Sequence, residues 1–440
     1  MRPKIKRISL EKHVLVLTIV ALLAVIMTFW GLYLTQKSGE GYNESLPPPK
    51  YEKPTGYAPE IERYVSFLQS VEKINPVDYV MHLFETNDIV VFGEGHHMEM
   101  TQYDLLYNIA TDKRFIEQSG LIITEVASQS INDMLHDYLT NSRMGKKEAD
   151  RKLINICRDM TWQVYWEKSN FHDFISRIRE FNKRLPDGQK ISVVGADMPI
   201  NWNEITIEEY RQVFGDTYGS GLDSRTRDRI MASFVSEQYK LRKESPSSRQ
   251  KILVIMNTVH SFRLFDDGCS TMGYLAKAHP GTVANVMLNH ALKLMDGGYI
   301  NTHLSGLVCD GKWDAAFRYM GNPAMGFDFN GTPFGEDTFD FFGDYESVPN
   351  SVTYRRIYDG FIFYRPVEEH ILKAGIQGYL DDEYISEFKR RFEIAGVPDL
   401  ADVGISFFRA YDSPKEFRYE DGLAGITTDC NKMIERWLTY

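Results

Sequence analysis

Acidic and histidine side chains follow several short apolar segments of this sequence, and these residue types can perform acid–base chemistry. Glu94, His96 and His97 come after the first segment, and Glu125 comes directly after the second. The later segments are followed by Asp197, by Asn257, His260 and Arg263, and by His290. A neutral imidazole beside a carboxylate can act as a general base near neutral pH, and it is equally a metal ligand. The pattern therefore predicts either water activation or metal binding.

The apolar segments themselves predict strands. They are short and rich in β-branched residues, and longer stretches with helical periodicity separate them. They cover residues 89–92, 121–123, 191–194, 252–255, 283–288 and 360–363. Strands that are buried on both faces have this composition, so we predict an α/β fold with a mostly parallel sheet and helices on both faces. The carboxyl ends of parallel strands meet at one edge, where the polar side chains should converge.

The candidate residues differ in how strongly they indicate a site. An Asp or Asn at a strand end commonly caps the next helix, so Asp197 and Asn257 alone indicate little. With His290, they are predicted to bind substrate. Glu94 and Glu125 are stronger catalytic candidates, because Glu caps helices poorly and is costly to bury without a partner. The alternative for both is a structural ion pair.

Composition and charge exclude one class of function. The 440 residues carry a formal net charge of −11, with 61 acidic and 50 basic residues. Nucleic-acid binding needs clustered positive charge, so a nucleic-acid partner is not expected. Four widely spaced cysteines exclude a disulfide scaffold and a CxxC metal site.

The beginning of the sequence predicts a membrane anchor. Residues 1–13 form a basic leader, and residues 14–35 contain no formal charge. Twenty-two helical residues span about 33 Å, which is enough to cross a bilayer core. We interpret this segment as an uncleaved transmembrane signal anchor, with a cleaved signal peptide as the alternative. Positive charge stays in the cytoplasm, so the main domain is predicted to lie outside it.

The remaining chain divides into three predicted parts. Residues 36–60, which include three consecutive prolines, form a linker. Residues 61–370 form the α/β domain, in which residues 201–250 are predicted to be a helical insertion. Residues 321–342 are rich in Gly, Asp and Phe, and they predict a long loop. Residues 371–440 are predicted to be a helical C-terminal extension.

The segment VVFGEGHHMEMTQYDLLYNIATDKRFIEQSGLIITE, residues 90–125, resembles the signature of a known superfamily. This superfamily includes erythromycin esterases, ChaN-type haem-binding proteins and the TIKI metalloproteases. Its members have a strand that ends in Gly-Glu-x-His or Gly-x-x-His, then a helix, then a strand that ends in a second Glu. Later segments are also similar to the esterase branch: VVGADMP, VIMNTVHSFR and YDGFIFYRP.

The resemblance implies roles for individual residues. Glu94 and Glu125 match the two acidic positions, and His260 matches the late histidine. The shorter motif spacing selects His96, which we favour, and the longer spacing selects His97. The arginine that the esterases place on the helix after the first motif has no equivalent between residues 98 and 112. Arg263 is the predicted substitute for its positive charge.

These residues support three hypotheses. The first is hydrolysis of a small-molecule or peptide substrate, with water activated by His96 or His260. A serine nucleophile is disfavoured, because no Gly-x-Ser-x-Gly motif is present. The second, which the TIKI branch implies, is a divalent metal such as Zn²⁺ or Mn²⁺ held by Glu94, His96, Glu125 and His260. The third, by analogy with ChaN, is binding of haem or another small ligand without catalysis.

Overall fold

Seven strands form the central sheet of the protein. The computed structural model describes residues 49–166, 168–215, 224–263, 270–296, 299–340, 352–418 and 430–440. The sheet has the order β4-β3-β5-β2-β6-β10-β9. The strands of the described residues are β1 (Gly56–Tyr57), β2 (Ile89–Glu94), β3 (Leu121–Ser128), β4 (Ser192–Asp197), β5 (Ile252–Asn257), β6 (Val283–Leu288), β7 (Ala291–Asp296), β8 (Tyr299–Leu307), β9 (Met325–Asp328), β10 (Gly360–Phe363), β11 (Leu372–Ala374), β12 (Lys415–Phe417) and β13 (Leu438–Thr439).

Six of the seven strands are parallel, and the edge strand β9 is antiparallel to β10. The predicted α/β fold with a mostly parallel sheet is therefore confirmed. Strand β9 lies within residues 321–342, where the sequence predicted only a loop. Strand β9 has only four residues and lies at the edge of the sheet, so it lacks the long apolar run that identifies a central strand.

Helices cover the sheet on both faces. The α-helices of the described residues are Glu62–Ser70, Pro76–Thr86, Thr101–Thr111, Lys113–Gln118, Asn132–Thr140, Lys146–Asp159, Ser169–Asn182, Ile207–Phe214, Ser224–Glu244, Thr271–Ala278, Lys312–Tyr319, Tyr354–Ile357, Ile385–Ile394, Ala401–Ala410 and Cys430–Glu435. Alternate side chains of β2 enter different cores: Val90 and Phe92 pack on one face, and Ile89 and Val91 on the other. This alternation follows from the two-residue period of a strand.

The predicted helical insertion and the predicted C-terminal extension both pack directly on the central sheet. Helix Ser224–Glu244, from the predicted insertion, packs on the face that holds Ile89 and Val91. The C-terminal helices Ile385–Ile394 and Ala401–Ala410 share the core of the opposite face. Both parts therefore belong to the cores that support the sheet.

The membrane anchor remains a prediction. Residues 14–35, like the leader and most of the linker, lie outside the described residues. Among the helices that are described, none combines the length and the apolar character that a membrane crossing requires.

Two glycines at the sheet edge make room for a buried tyrosine. Tyr79 is 2% exposed, and its hydroxyl donates a hydrogen bond to Asp328 at 2.8 Å. A Cβ atom at Gly360 would collide with this hydroxyl, and one at Gly326 would collide with the ring. The ring of Tyr79 therefore depends on both positions having no side chain.

We predict that Gly360→Ala lowers the free energy of unfolding by about 1 to 3 kcal/mol, because the added methyl group overpacks this contact. Chemical denaturation measures the change. The matched control is Gly188→Ala, since a Cβ atom there meets nothing within 4 Å. Equal stability of the two variants would show that Tyr79 is not confined as described.

Candidate active site

The turn after β2 places Glu94 and His97 together. The Nδ1 atom of His97 contacts the Oε1 atom of Glu94, and the hydroxyl of Tyr103 donates to Oε2 at 2.8 Å. Gly95 has no room for a side chain, because a Cβ atom there would lie 2.7 Å from His290. Its backbone N–H donates to the side chain of Gln102 at 3.0 Å. The turn is thereby attached to helix Thr101–Thr111.

Strand β3 contributes Glu125. The pairing of β3 with β4 shifts register between Thr124 and Ser128, so Glu125 lies in an irregular part of the strand. Such irregularities redirect side chains near functional sites. Its Oε1 lies 3.3 Å from His97 Nε2, and its Oε2 lies 3.2 Å from His260 Nε2. Glu125 is 3% exposed and therefore lies between two imidazoles away from bulk water.

His260 lies in the 3₁₀ turn Thr258–His260 that follows β5. Its Nδ1 lies 2.8 Å from Asp228 Oδ1. Asp228 also accepts hydrogen bonds from the backbone and hydroxyl of Thr271, at 2.8 and 2.6 Å. Asp228 is therefore fixed on two sides and holds the imidazole with Nε2 directed towards Glu125.

Arg227 supplies the positive charge that the sequence analysis assigned to Arg263. Its Nε and Nη2 donate to the two oxygens of Asp197 at 2.8 and 3.0 Å, which is a bidentate pair. Its Nη1 donates to His260 Nε2 at 2.8 Å. Because a guanidinium only donates, this contact requires an unprotonated Nε2 on His260.

Five of these side chains, those of His97, Glu125, Asp197, Arg227 and His260, line a cavity of about 210 Å³. The lining residues are His97, Glu125, Val126, Thr161, Trp162, Gln163, Trp166, Lys168, Asp197, Arg227, Asn257, Val259 and His260. Four adjacent strands, in the order β4-β3-β5-β2, bring the polar members together at their carboxyl ends. This is the edge at which parallel α/β sheets bind ligands.

The surrounding charges make His97 a strong base. Burial alone would lower its pKa, but the charge of Glu94 and the contacts with Glu125 raise the pKa of His97 to about 9. His97 is therefore an imidazolium at neutral pH, and both of its nitrogens face carboxylates. Its ring also packs edge to face against Trp166, with centroids 5.2 Å apart.

Glu125 is stabilised in its charged form. Burial would raise its pKa, but His260, His97 and Arg227 together lower the pKa of Glu125 well below its ordinary value. Burial also lowers the pKa of His260, while Glu125 and Asp228 raise it, and the pKa of His260 lies above its ordinary value. Among the described residues, Glu125 Oε2 has no hydrogen-bond donor.

Three residues that the sequence predicted for the site lie outside the cavity lining: His96, His290 and Arg263. His96 Nδ1 accepts a hydrogen bond from the backbone of Met98 at 3.0 Å, and His96 does not line the cavity. His290 is buried with Nδ1 against the carbonyl of Leu288 at 2.7 Å, and burial lowers its pKa to about 4. It packs behind Gly95, outside the cavity lining.

Arg263 is not brought to the site. The chain runs back along the sheet after His260, so Arg263 reaches the amino end of β6. There it pairs with Asp359, with one contact at 2.7 Å, and approaches the carbonyl of Val283. Asp197 and Asn257, in contrast, do line the cavity, and the Asn257 amide lies 3.4 Å from His97 Nε2.

Sequence reasoning missed Arg227, Asp228, Tyr103 and Lys168. The first two lie in a polar stretch, SRTRDRIM, that has the appearance of a solvated helix. Their role arises only when helix Ser224–Glu244 packs against the strand ends, so no local signal could reveal it. The sequence did contain one signal for Lys168. Trp162 and Trp166, four residues apart in a segment between helices, both line the cavity beside it.

The predicted metal ligands do not form a common donor set. Within the described residues, no group of three or more His, Cys, Asp or Glu side chains has a metal-binding arrangement. His96 lies outside the cavity, and the guanidinium of Arg227 approaches the free nitrogen of His260. A divalent cation at that nitrogen would be repelled by Arg227.

Comparison with known proteins finds similarity to solved structures only at low sequence identity. No family model matches this chain, and neither does any curated protein. The chain is similar in structure to an erythromycin esterase. This protein, an EreC mutant in its open conformation, matches with a TM-score of 0.43 and 13% identity over 66% of this chain and 96% of that chain.

Two further structures are similar. A Bacillus cereus protein matches with a TM-score of 0.41 and 11% identity, over 69% of this chain and 96% of that chain. ChaN of Campylobacter jejuni, which binds haem cofacially, matches with a TM-score of 0.28 and 12% identity, over 48% and 84%. Two of the three branches that the sequence resembles, the erythromycin esterases and ChaN, are among these structures. The similarities are too distant to transfer residue roles.

We predict that NMR titration gives His97 a pKa of about 9 and that Glu94→Gln moves this pKa towards 6.5. The glutamine amide keeps a hydrogen-bond acceptor but removes the charge that stabilises the imidazolium. His279, whose pKa burial lowers, serves as the internal control and should titrate alike in both proteins. An unchanged His97 pKa in the variant would contradict the assigned pairing.

Proposed function

We propose that this protein is a hydrolase in which two histidines of opposite protonation state act on one acyl bond. The observation that carries the proposal is the placement of His97 and His260 on the two oxygens of a single buried carboxylate, Glu125. The Arg227 N–H at His260 Nε2 keeps His260 neutral, whereas carboxylates face both nitrogens of His97 and keep it charged. Two groups held in different protonation states are candidates for the base and the acid of an active site.

His260 is assigned as the general base. Asp228 accepts its Nδ1–H, so the lone pair is on Nε2, the atom that Arg227 contacts. When Arg227 moves off this single lone pair, a water in the cavity takes its place and gives its proton to His260 Nε2 as the water oxygen bonds to the substrate carbonyl carbon. Arg227 then remains beside the new imidazolium and favours return of the proton.

His97 is assigned as the acid. Its charge, held by Glu94 and Glu125, stabilises the negative oxygen that develops on the substrate carbonyl. When the acyl bond breaks, His97 donates a proton to the leaving group, and the proton on His260 restores His97 through solvent. The products are a carboxylic acid and an alcohol or amine.

Metal-assisted hydrolysis and haem binding fit the geometry of the site less well than acid–base hydrolysis does. A metal-assisted route lacks a common donor set in the part of the chain that the structure describes. Haem binding is disfavoured by size, because ligand sites of drug-sized molecules occupy about 300 to 1,000 Å³ and this cavity measures about 210 Å³.

The location of the domain is a further part of the proposal. The charge pattern of residues 1–35 supports a single-pass anchor with the catalytic domain outside the cytoplasm.

We predict that Glu125→Gln, His97→Asn and His260→Asn each lower kcat/KM for hydrolysis of an ester and peptide panel by roughly 100-fold or more, since each removes acid–base function. His96→Asn is the matched control and should retain activity, because His96 lies outside the cavity. Hydrolysis that survives in Glu125→Gln would contradict the proposal.

The same panel checks the protonation states. The wild-type rate should fall as pH drops below the raised pKa of His260, where the base is protonated, and also as pH rises past about 9, where His97 loses its proton. A rate that keeps increasing above that pH would remove His97 as the acid.

A further inference from the structure

Two adjacent histidines occupy the turn after β2, and only the second one enters the site. His97 contacts Glu94 through Nδ1, and its Nε2 lies 3.3 Å from an oxygen of Glu125. The Nδ1 of His96 instead accepts a hydrogen bond from the backbone of Met98 at 3.0 Å. The path of the backbone through this turn therefore decides where each imidazole lies.

The side-chain amide of Gln102 holds that backbone path. Its Oε1 accepts a hydrogen bond from the N–H of Gly95 at 3.0 Å, and its Nε2 donates to the carbonyl of His96 at 2.8 Å. The His96 carbonyl belongs to the peptide group that joins His96 to His97. Because a peptide group is planar, its orientation sets one backbone dihedral angle of His97. Nε2 also donates to the carbonyl of Glu99 at 3.1 Å, so the amide contacts the turn on both sides of His97.

Gln102 is itself fixed by the start of helix Thr101–Thr111. The carboxyl group of Glu99 accepts hydrogen bonds from the backbone N–H groups of Thr101 at 2.7 Å and Gln102 at 3.0 Å. Glu99 is buried and also accepts a hydrogen bond from the hydroxyl of Tyr364 at 2.6 Å. Gln102 is 1% exposed, and rotation of its amide by a half-turn would place the NH₂ group against an N–H and the oxygen against two carbonyls. A single orientation of the amide therefore satisfies all three of its partners.

The next residue of the same helix holds the carboxylate partner of His97. The Tyr103 hydroxyl donates to Glu94 Oε2 at 2.8 Å, while the imidazole contacts Oε1. Gln102 and Tyr103 therefore act on different parts of one pair. Gln102 orients the backbone that carries the imidazole, and Tyr103 orients the carboxylate.

We propose that Gln102 is a positioning residue that holds the His97 imidazole between Glu94 and Glu125. This inference rests on the proposed hydrolase function, in which His97 is the acid. Gln102 does not line the cavity, so it acts through the turn and takes no part in proton transfer. Loss of the amide would remove three hydrogen bonds from the turn. The turn would then relax, and a displacement of about 1 Å in an active site can cost about 100-fold in rate.

Gln102→Met tests the proposal, because methionine has nearly the same length but cannot donate a hydrogen bond. NMR titration should find the pKa of His97 at about 9 in the wild-type protein and shifted towards 6.5 in the variant, where the ring is no longer confined between two carboxylates. For any ester that the wild-type protein hydrolyses, kcat should fall about 100-fold while KM stays within about twofold. Gln118→Met, in the neighbouring helix Lys113–Gln118, is the matched control and should leave the His97 pKa and kcat unchanged.

Two results would overturn the inference: a folded Gln102→Met variant in which the pKa of His97 stays at about 9, or one that raises KM and leaves kcat unchanged. The titration needs no substrate, so an inactive wild-type protein would reject the proposed function while the His97 pKa still decides the role of Gln102. If Gln102→Met does not fold, Gln102→Asn replaces it, because the shorter amide cannot reach both Gly95 and His96. It should show the same shift of the His97 pKa, and an unshifted pKa would reject the inference.

Discussion

A buried carboxylate must have positive charge beside it, and the structure around Glu125 is built to supply that charge. Glu125 is 3% exposed, so without compensation it would take up a proton. His97 and His260 each approach one of its oxygens. Their outer nitrogens face Glu94 and Asp228, which hold the rings in place. The site is thus a chain in which carboxylates and imidazoles alternate, with positive charge supplied by His97 and Arg227, and loss of one member leaves its neighbours unpaired.

The sheet order explains why these groups meet. Strands β4, β3, β5 and β2 are neighbours, although β5 follows the other three in the sequence. Insertion of β5 between β3 and β2 brings His260 against Glu125 and His97. Helix Ser224–Glu244 precedes β5 and packs on the sheet face, so it delivers Arg227 and Asp228 to the same edge. The strand order therefore determines which side chains meet at the site. Gly95 has no side chain, so the turn after β2 can pack against His290.

The sequence predicted those parts of this arrangement that have a local signature. Buried parallel strands have recognisable composition, and Glu94, Glu125 and His260 could be placed at strand ends from their positions alone. The choice between His96 and His97 depends on how the turn after Glu94 closes, which adjacent residues do not reveal. Arg263 shares a segment with His260, but the chain reverses after His260 and carries Arg263 to the other end of β6. Such reversals are tertiary features without a sequence pattern.

Neutron crystallography near pH 8 tests the central claim most directly, because it locates the protons of the charge chain. The account predicts deuterium on both ring nitrogens of His97, on Nδ1 alone of His260, and on neither oxygen of Glu125. A protonated Glu125 beside two neutral histidines would contradict the account, since the two imidazoles would then have no opposite roles to perform.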